Sequence, residues 1–108
     1  MAVCAVTRHA GQRTRERVGI PKKAVRRAAA RAYTNGIRRT ETEGGLRRYL
    51  DWLYWRGNGG ANNITVYGDK VYLFNEDTLI TVLNVPMPHM KQAARLMKKR
   101  RKENGLQR

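Results

Sequence analysis

The 108-residue chain contains one cysteine, three prolines, eight acidic residues and no long apolar run. A single thiol, Cys4, cannot close a disulfide within the chain, and neither it nor His9 and His89 has neighbours at metal-ligand spacing. This excludes a structural zinc and fits a reducing compartment. The opening MAVCAVTRHAG holds too short an apolar stretch for a secretory leader. Nothing approaches the roughly 18 apolar residues of a membrane span, so the expectation is a soluble, cytoplasmic protein. Catalytic groupings are equally scarce. Asp51, Asp69, Glu76 and Asp77 are scattered over a helix and turns, and turn chemistry accounts for the last three. The glycine-rich segment around Gly59 does not lead from a strand into a helix, so it is not a nucleotide loop, and no cofactor or metal is implied.

The shortage of acid sets the charge. Twenty-three Lys and Arg leave a formal net charge of +15, well beyond what solubility needs and costly to compactness through self-repulsion. A polyanionic partner is the simplest explanation. The charge is also unevenly placed: residues 1–45 carry net +8, residues 46–86 are neutral, and residues 87–108 carry net +7. Leu, Ile, Val and Phe number 21, of which 13 lie between residues 46 and 86 together with both tryptophans and four of the five tyrosines. The chain therefore divides into a basic arm (1–19), a folded helical and antiparallel-sheet core (20–86) and a basic C-terminal helix (87–108).

Periodicity predicts the elements. Residues 1–19 show no sustained period and hold Arg13, Arg15 and Arg17 in the arm. From Pro21 to Thr34, Val25, Ala28, Ala29, Ala32 and Tyr33 recur at helical spacing, with Asn35 and Gly36 as the cap. Lys23, Arg27 and Arg31 form a basic stripe at i, i+4 and i+8 on that helix. A second helix opens at Thr42 or Glu43 and runs to Arg56. Leu46, Tyr49, Leu50 and Leu53 give it a core face, which Trp52, Tyr54 and Trp55 are expected to widen. The period then changes to two. Strands at 63–67 and 70–74 flank the hairpin pair Gly68–Asp69, and a third strand spans 78–85 after the turn at Glu76 and Asp77. A last helix, 88–103, carries Lys98, Lys99, Arg100, Arg101 and Lys102. The fold class is α+β: two N-terminal helices, a three- to four-stranded antiparallel sheet and a basic C-terminal helix.

The two turns fix a register. They pair Ile64 with Leu73 and Val66 with Val71, then Leu73 with Ile80 and Val71 with Val82, which makes one aliphatic face for the second helix to cover. The other face carries Tyr67, Lys70, Tyr72, Phe74, Leu79, Thr81 and Leu83. Aromatic rings beside a lysine on an open sheet stack unpaired bases while cations hold phosphates. Alternatively this face is a second packing surface beneath the first or last helix, and nucleic-acid contact then moves to the helical stripes.

The segment ANNITVYGDKVYLFNEDTLITVLNVP, residues 61–86, resembles the C-terminal sheet of the RelE-like and colicin-type endoribonuclease toxins. The chain as a whole also resembles small proteins of bacterial and phage genomes. The toxin resemblance implies a cleft with Tyr67 and Lys70 on its side and Thr81 at the polar strand position. It identifies no catalytic His or Glu. Metal-independent cleavage would then fall to Tyr67, Lys70, Tyr72 and Thr81, with Arg47 and Arg48 stabilising the phosphorane charge. Three functions follow in order of preference. The first is nucleic-acid binding, RNA before DNA, with capture by the arm and helical cations and orientation by Arg47, Arg48, Tyr67, Lys70 and Tyr72. The second is the endoribonuclease. The third is an inhibitor or factor that docks on a nucleoprotein complex.

Overall fold

Small residues one and two turns apart let the first helix lie close to the sheet. In the computed structural model, which describes residues 5–6, 22–56 and 60–106, Val25, Ala29 and Ala32 are buried on one side of helix α1 (Lys22–Asn35). The helix ends where the Gly36 N–H donates to the Ala32 carbonyl at 2.8 Å. Gly36 owes its identity to a close approach. A Cβ built there would overlap the Thr65 Cγ2 and the Ala32 oxygen.

A two-residue strand β2 (Ile37–Arg38) and a 3-10 turn (Arg39–Glu41) connect to helix α2 (Gly44–Arg56). This helix starts later than expected because the Thr42 hydroxyl donates to the Arg39 carbonyl at 2.6 Å, closing the preceding turn. Strands β3 (Asn63–Tyr67), β4 (Lys70–Asn75) and β5 (Thr78–Asn84) follow, then a 3-10 turn (Met87–His89) and helix α3 (Met90–Leu106). Strand β1 (Ala5–Val6) pairs in parallel with β5, so part of the expected arm adds an edge to the sheet. Arg13, Arg15 and Arg17 lie outside the described residues. The strand order is β1-β5-β4-β3-β2, with β2 to β5 antiparallel. The architecture is α+β, with three α-helices among the described residues.

The sheet is covered on both sides. Leu46, Leu50 and Leu53 of α2, with Ala93 and Met97 of α3, pack on Ile64, Val66, Val71 and Leu73. Val25, Ala29 and Ala32 of α1 pack on Tyr72, Phe74, Leu79 and Val82. Tyr33 adds an edge-on contact to the Phe74 ring at 5.5 Å.

The expected register holds between β3 and β4, from Asn63↔Phe74 to Tyr67↔Lys70 around Gly68 at φ 64°. Between β4 and β5 it holds only beside the turn. A bulge inserts Ile80 between the pairs Phe74↔Leu79 and Leu73↔Thr81, and every later pairing moves by one residue. Because strand side chains alternate, that single insertion sends Val82 to the α1 side and turns Thr81 and Leu83 toward the α2 side. Leu79 stays on the expected face.

Candidate nucleic-acid interface

Helix α2 has two rows of the same spacing. Leu46, Leu50 and Leu53 stand at i, i+4 and i+7, and so do Arg48, Trp52 and Trp55. The second row is offset by two residues, or about 200° around the helix, so burying the first turns the second to solvent. Trp52 is 51% exposed, Trp55 is 81% exposed, and Arg48, in the same row, is exposed as well. This corrects the expectation that the tryptophans widen the core. Their outward direction was available in the spacing once Leu46, Leu50 and Leu53 were given to the core.

The exposed rings are held in place. The Arg56 guanidinium lies 4.6 Å from the Trp52 ring centroid. Tyr49 stacks on Trp52 at 6.3 Å and meets the His89 ring at 6.0 Å, and Tyr54 meets Trp55 edge-on at 5.6 Å. Burial raises the Tyr49 phenol above its usual range, so it remains neutral and serves as a support. An indole fixed at the surface loses little freedom when a base stacks on it, and such stacking is worth about 1–3 kcal/mol per base.

Arg47 and Arg48 take different roles despite being adjacent. Arg47 Nε bonds to Asp51 Oδ1 at 2.9 Å, and Arg39 Nη1 reaches the same oxygen at 2.5 Å while its guanidinium lies 4.2 Å from the Tyr54 ring centroid. Hydrogen bonds from Arg39 and then Arg47 hold the Asp51 carboxyl below its ordinary range. Arg47 is thus part of a flank that ties α2 to the turn before it. Arg48 has no ion pair among the described residues.

Of the sheet residues expected to form the site, Tyr67, Lys70 and Tyr72 are neighbours, with Tyr67 paired across the hairpin to Lys70, whereas Thr81 stands on the other face. Tyr72 is 3% exposed and lies beneath α1, where burial and then the neighbouring Asp69 and Tyr67 push its phenol up to about 12. The α1-facing side of the sheet is a packing surface, so the aromatic stacking platform expected there is absent. Thr81 faces the opposite core, buried, with no hydrogen-bond partner for its Oγ1 among the described residues. Lys70 Nζ sits 3.2 Å from Asp69 Oδ2, and half-buried Tyr67 touches both cores.

The helical cations remain available. Arg27 and Arg31 of α1 are exposed, as are Lys98, Lys99, Arg101 and Lys102 of α3. Arg100 is half-buried and paired with Glu41. Lys23 lies in the first turn of α1. Among the described residues, four ion pairs engage Arg39, Arg47, Lys70 and Arg100, so most of the positive charge is not neutralised internally. No group of three or more His, Cys, Asp or Glu among the described residues is placed to hold a metal, and no helix there is long and apolar enough to cross a membrane. Comparison with protein families, curated proteins and solved structures finds no match to this chain.

Proposed function

We propose that this protein binds single-stranded RNA, stacking unpaired bases on Trp52 and Trp55 while Arg48, Arg56 and the exposed cations of α1 and α3 hold phosphates. The observation that carries this reading is the outer row of α2, where two tryptophans stand on the solvent side of a helix beside Arg48, which has no ion pair among the described residues. The net charge of +15 supports it, because ion pairs within the chain cancel equal numbers of each sign and leave that excess in place. RNA is favoured over duplex DNA because its loops, bulges and ends splay their bases for stacking.

The two tryptophans are the only ones in the sequence, so intrinsic fluorescence reports directly on the proposed contact. Titration with single-stranded RNA should quench it, and the affinity should fall linearly on a logarithmic salt scale. RNA and DNA duplexes should bind more weakly, because their bases are not free to stack. Unquenched fluorescence, or an affinity insensitive to salt, would overturn the reading. Docking on a nucleoprotein complex would use the same contacts, and Met87, 82% exposed in the turn before α3, favours it as an additional apolar anchor. Co-purification of a partner that survives nuclease treatment and is lost in Met87→Ser would separate that case.

A further inference from the structure

A cleft whose lining includes neither tryptophan lies where three elements meet at one end of the sheet. The last residue of α1, Asn35, the end of β3 and its turn, Tyr67 and Gly68, and one turn of α3, Met97, Arg100 and Arg101, enclose an open cleft of about 290 Å³. Buried Met97 and half-buried Tyr67 make an apolar floor. Gly68 leaves its wall low, since a Cβ built there would meet no atom within 4 Å. The rim is cationic. The Glu41 carboxylate fixes Arg100, whereas exposed Arg101 has no ion pair among the described residues. Asp69 beside the turn is already engaged by Lys70.

From this arrangement we infer that the cleft takes one unstacked nucleotide of the bound RNA, with its base on Tyr67 and Met97 and its phosphate on Arg101. A bare phosphate would leave the apolar floor unused, and an apolar ligand would leave a guanidinium facing it without a counter-charge. A nucleotide matches both, and the Asn35 amide offers a donor and an acceptor to a base edge. The volume is at the small end for ligand sites, which suits a single nucleotide. The inference rests on the RNA-binding reading and adds a position at which that RNA must be unpaired.

The test is a titration of the isotope-labelled full chain with each ribonucleoside 5′-monophosphate, with ribose 5-phosphate as control, at constant ionic strength. Saturable shifts of the Asn35, Gly68 and Arg101 amides are expected near 1 mM nucleotide, with ribose 5-phosphate about tenfold weaker. Arg101→Ala should weaken nucleotide binding about tenfold while the rest of the amide spectrum stays in place. Equal binding of ribose 5-phosphate, or shifts confined to α2, would overturn the cleft. If single-stranded RNA still quenches the tryptophans in that case, the RNA-binding reading stands without it. If no RNA quenches them, both fall.

Discussion

Arg48 and Trp52 stand one turn apart on the side of α2 that faces away from Leu50, which is completely buried. Cation and π-face are therefore presented together, within reach of adjacent parts of one nucleotide chain. Truncating either indole removes a stacking surface without opening the core. Trp52→Ala and Trp55→Ala should each cost about 1–3 kcal/mol of RNA affinity. Thermal stability should fall little in either variant. In each, the remaining tryptophan still reports binding, so fluorescence titration reads the loss directly. Undiminished affinity in both variants would place the contact elsewhere.

The adjacent arginines give a sharper test because, among the described residues, Arg47 has an ion pair and Arg48 has none. Arg48→Ala should lower RNA affinity and reduce the salt slope by about 0.7, the contribution of one phosphate on a single strand. Arg47→Ala should leave that slope unchanged and lower the melting temperature, since its guanidinium is committed to Asp51. Equal effects of the two on the slope would mean that the ion pair opens on binding.

Asp51 makes that flank sensitive to acid. Its folded carboxyl titrates below its ordinary value of 3.8 because Arg39 and Arg47 donate to the charged form. A depressed folded value contributes stability that is fully present above the unfolded value and lost as pH falls through the folded one. Asp51→Asn should therefore melt below the parent chain near neutrality, and the gap should close as the pH falls through the folded carboxyl's lowered value. A gap that persists in acid would assign the loss to packing.

Much of this architecture could be read from residue spacing, and the exceptions have physical causes. The strands expected at 63–67 and 70–74 follow from alternation around Gly68–Asp69, a turn that leaves little choice of register, and the second runs one residue further, to Asn75. The bulge at Ile80 was not legible, because alternation continues through an inserted residue and only the partner strand reveals the shift. That one residue decides whether Thr81 joins the tyrosines. The outer row of α2 was present in the sequence, but hydrophobicity assigned Trp52 and Trp55 to the core where position assigned them to solvent. Nothing local places Asn35 beside Arg101, 66 positions away, so the cleft required the fold.

Gly36 tests the close packing of α1 against β3. Its neighbours there are backbone and a branched side chain, neither of which can move far. Gly36→Ala should destabilise the protein by about 1–3 kcal/mol, the usual range for forced overpacking, measured by urea denaturation. A neutral result would mean that α1 can withdraw from the sheet.

Thr81 distinguishes a binding protein from a nuclease. Its Oγ1 is buried on the α2 side without a hydrogen-bond partner among the described residues, and a lone buried hydroxyl costs more than the methyl that could replace it. Thr81→Val should therefore raise stability by about 1 kcal/mol and leave RNA affinity unchanged. If Thr81 instead positioned a substrate in a toxin-like cleft, the same substitution would suppress cleavage. The geometry argues against that role, because Thr81 and Tyr72 lie on opposite faces of the sheet. A varied RNA pool incubated with the protein in EDTA should thus be recovered with its original ends. New termini that disappear in Thr81→Val would reverse the assignment and require the bulge at Ile80 to shift when RNA binds.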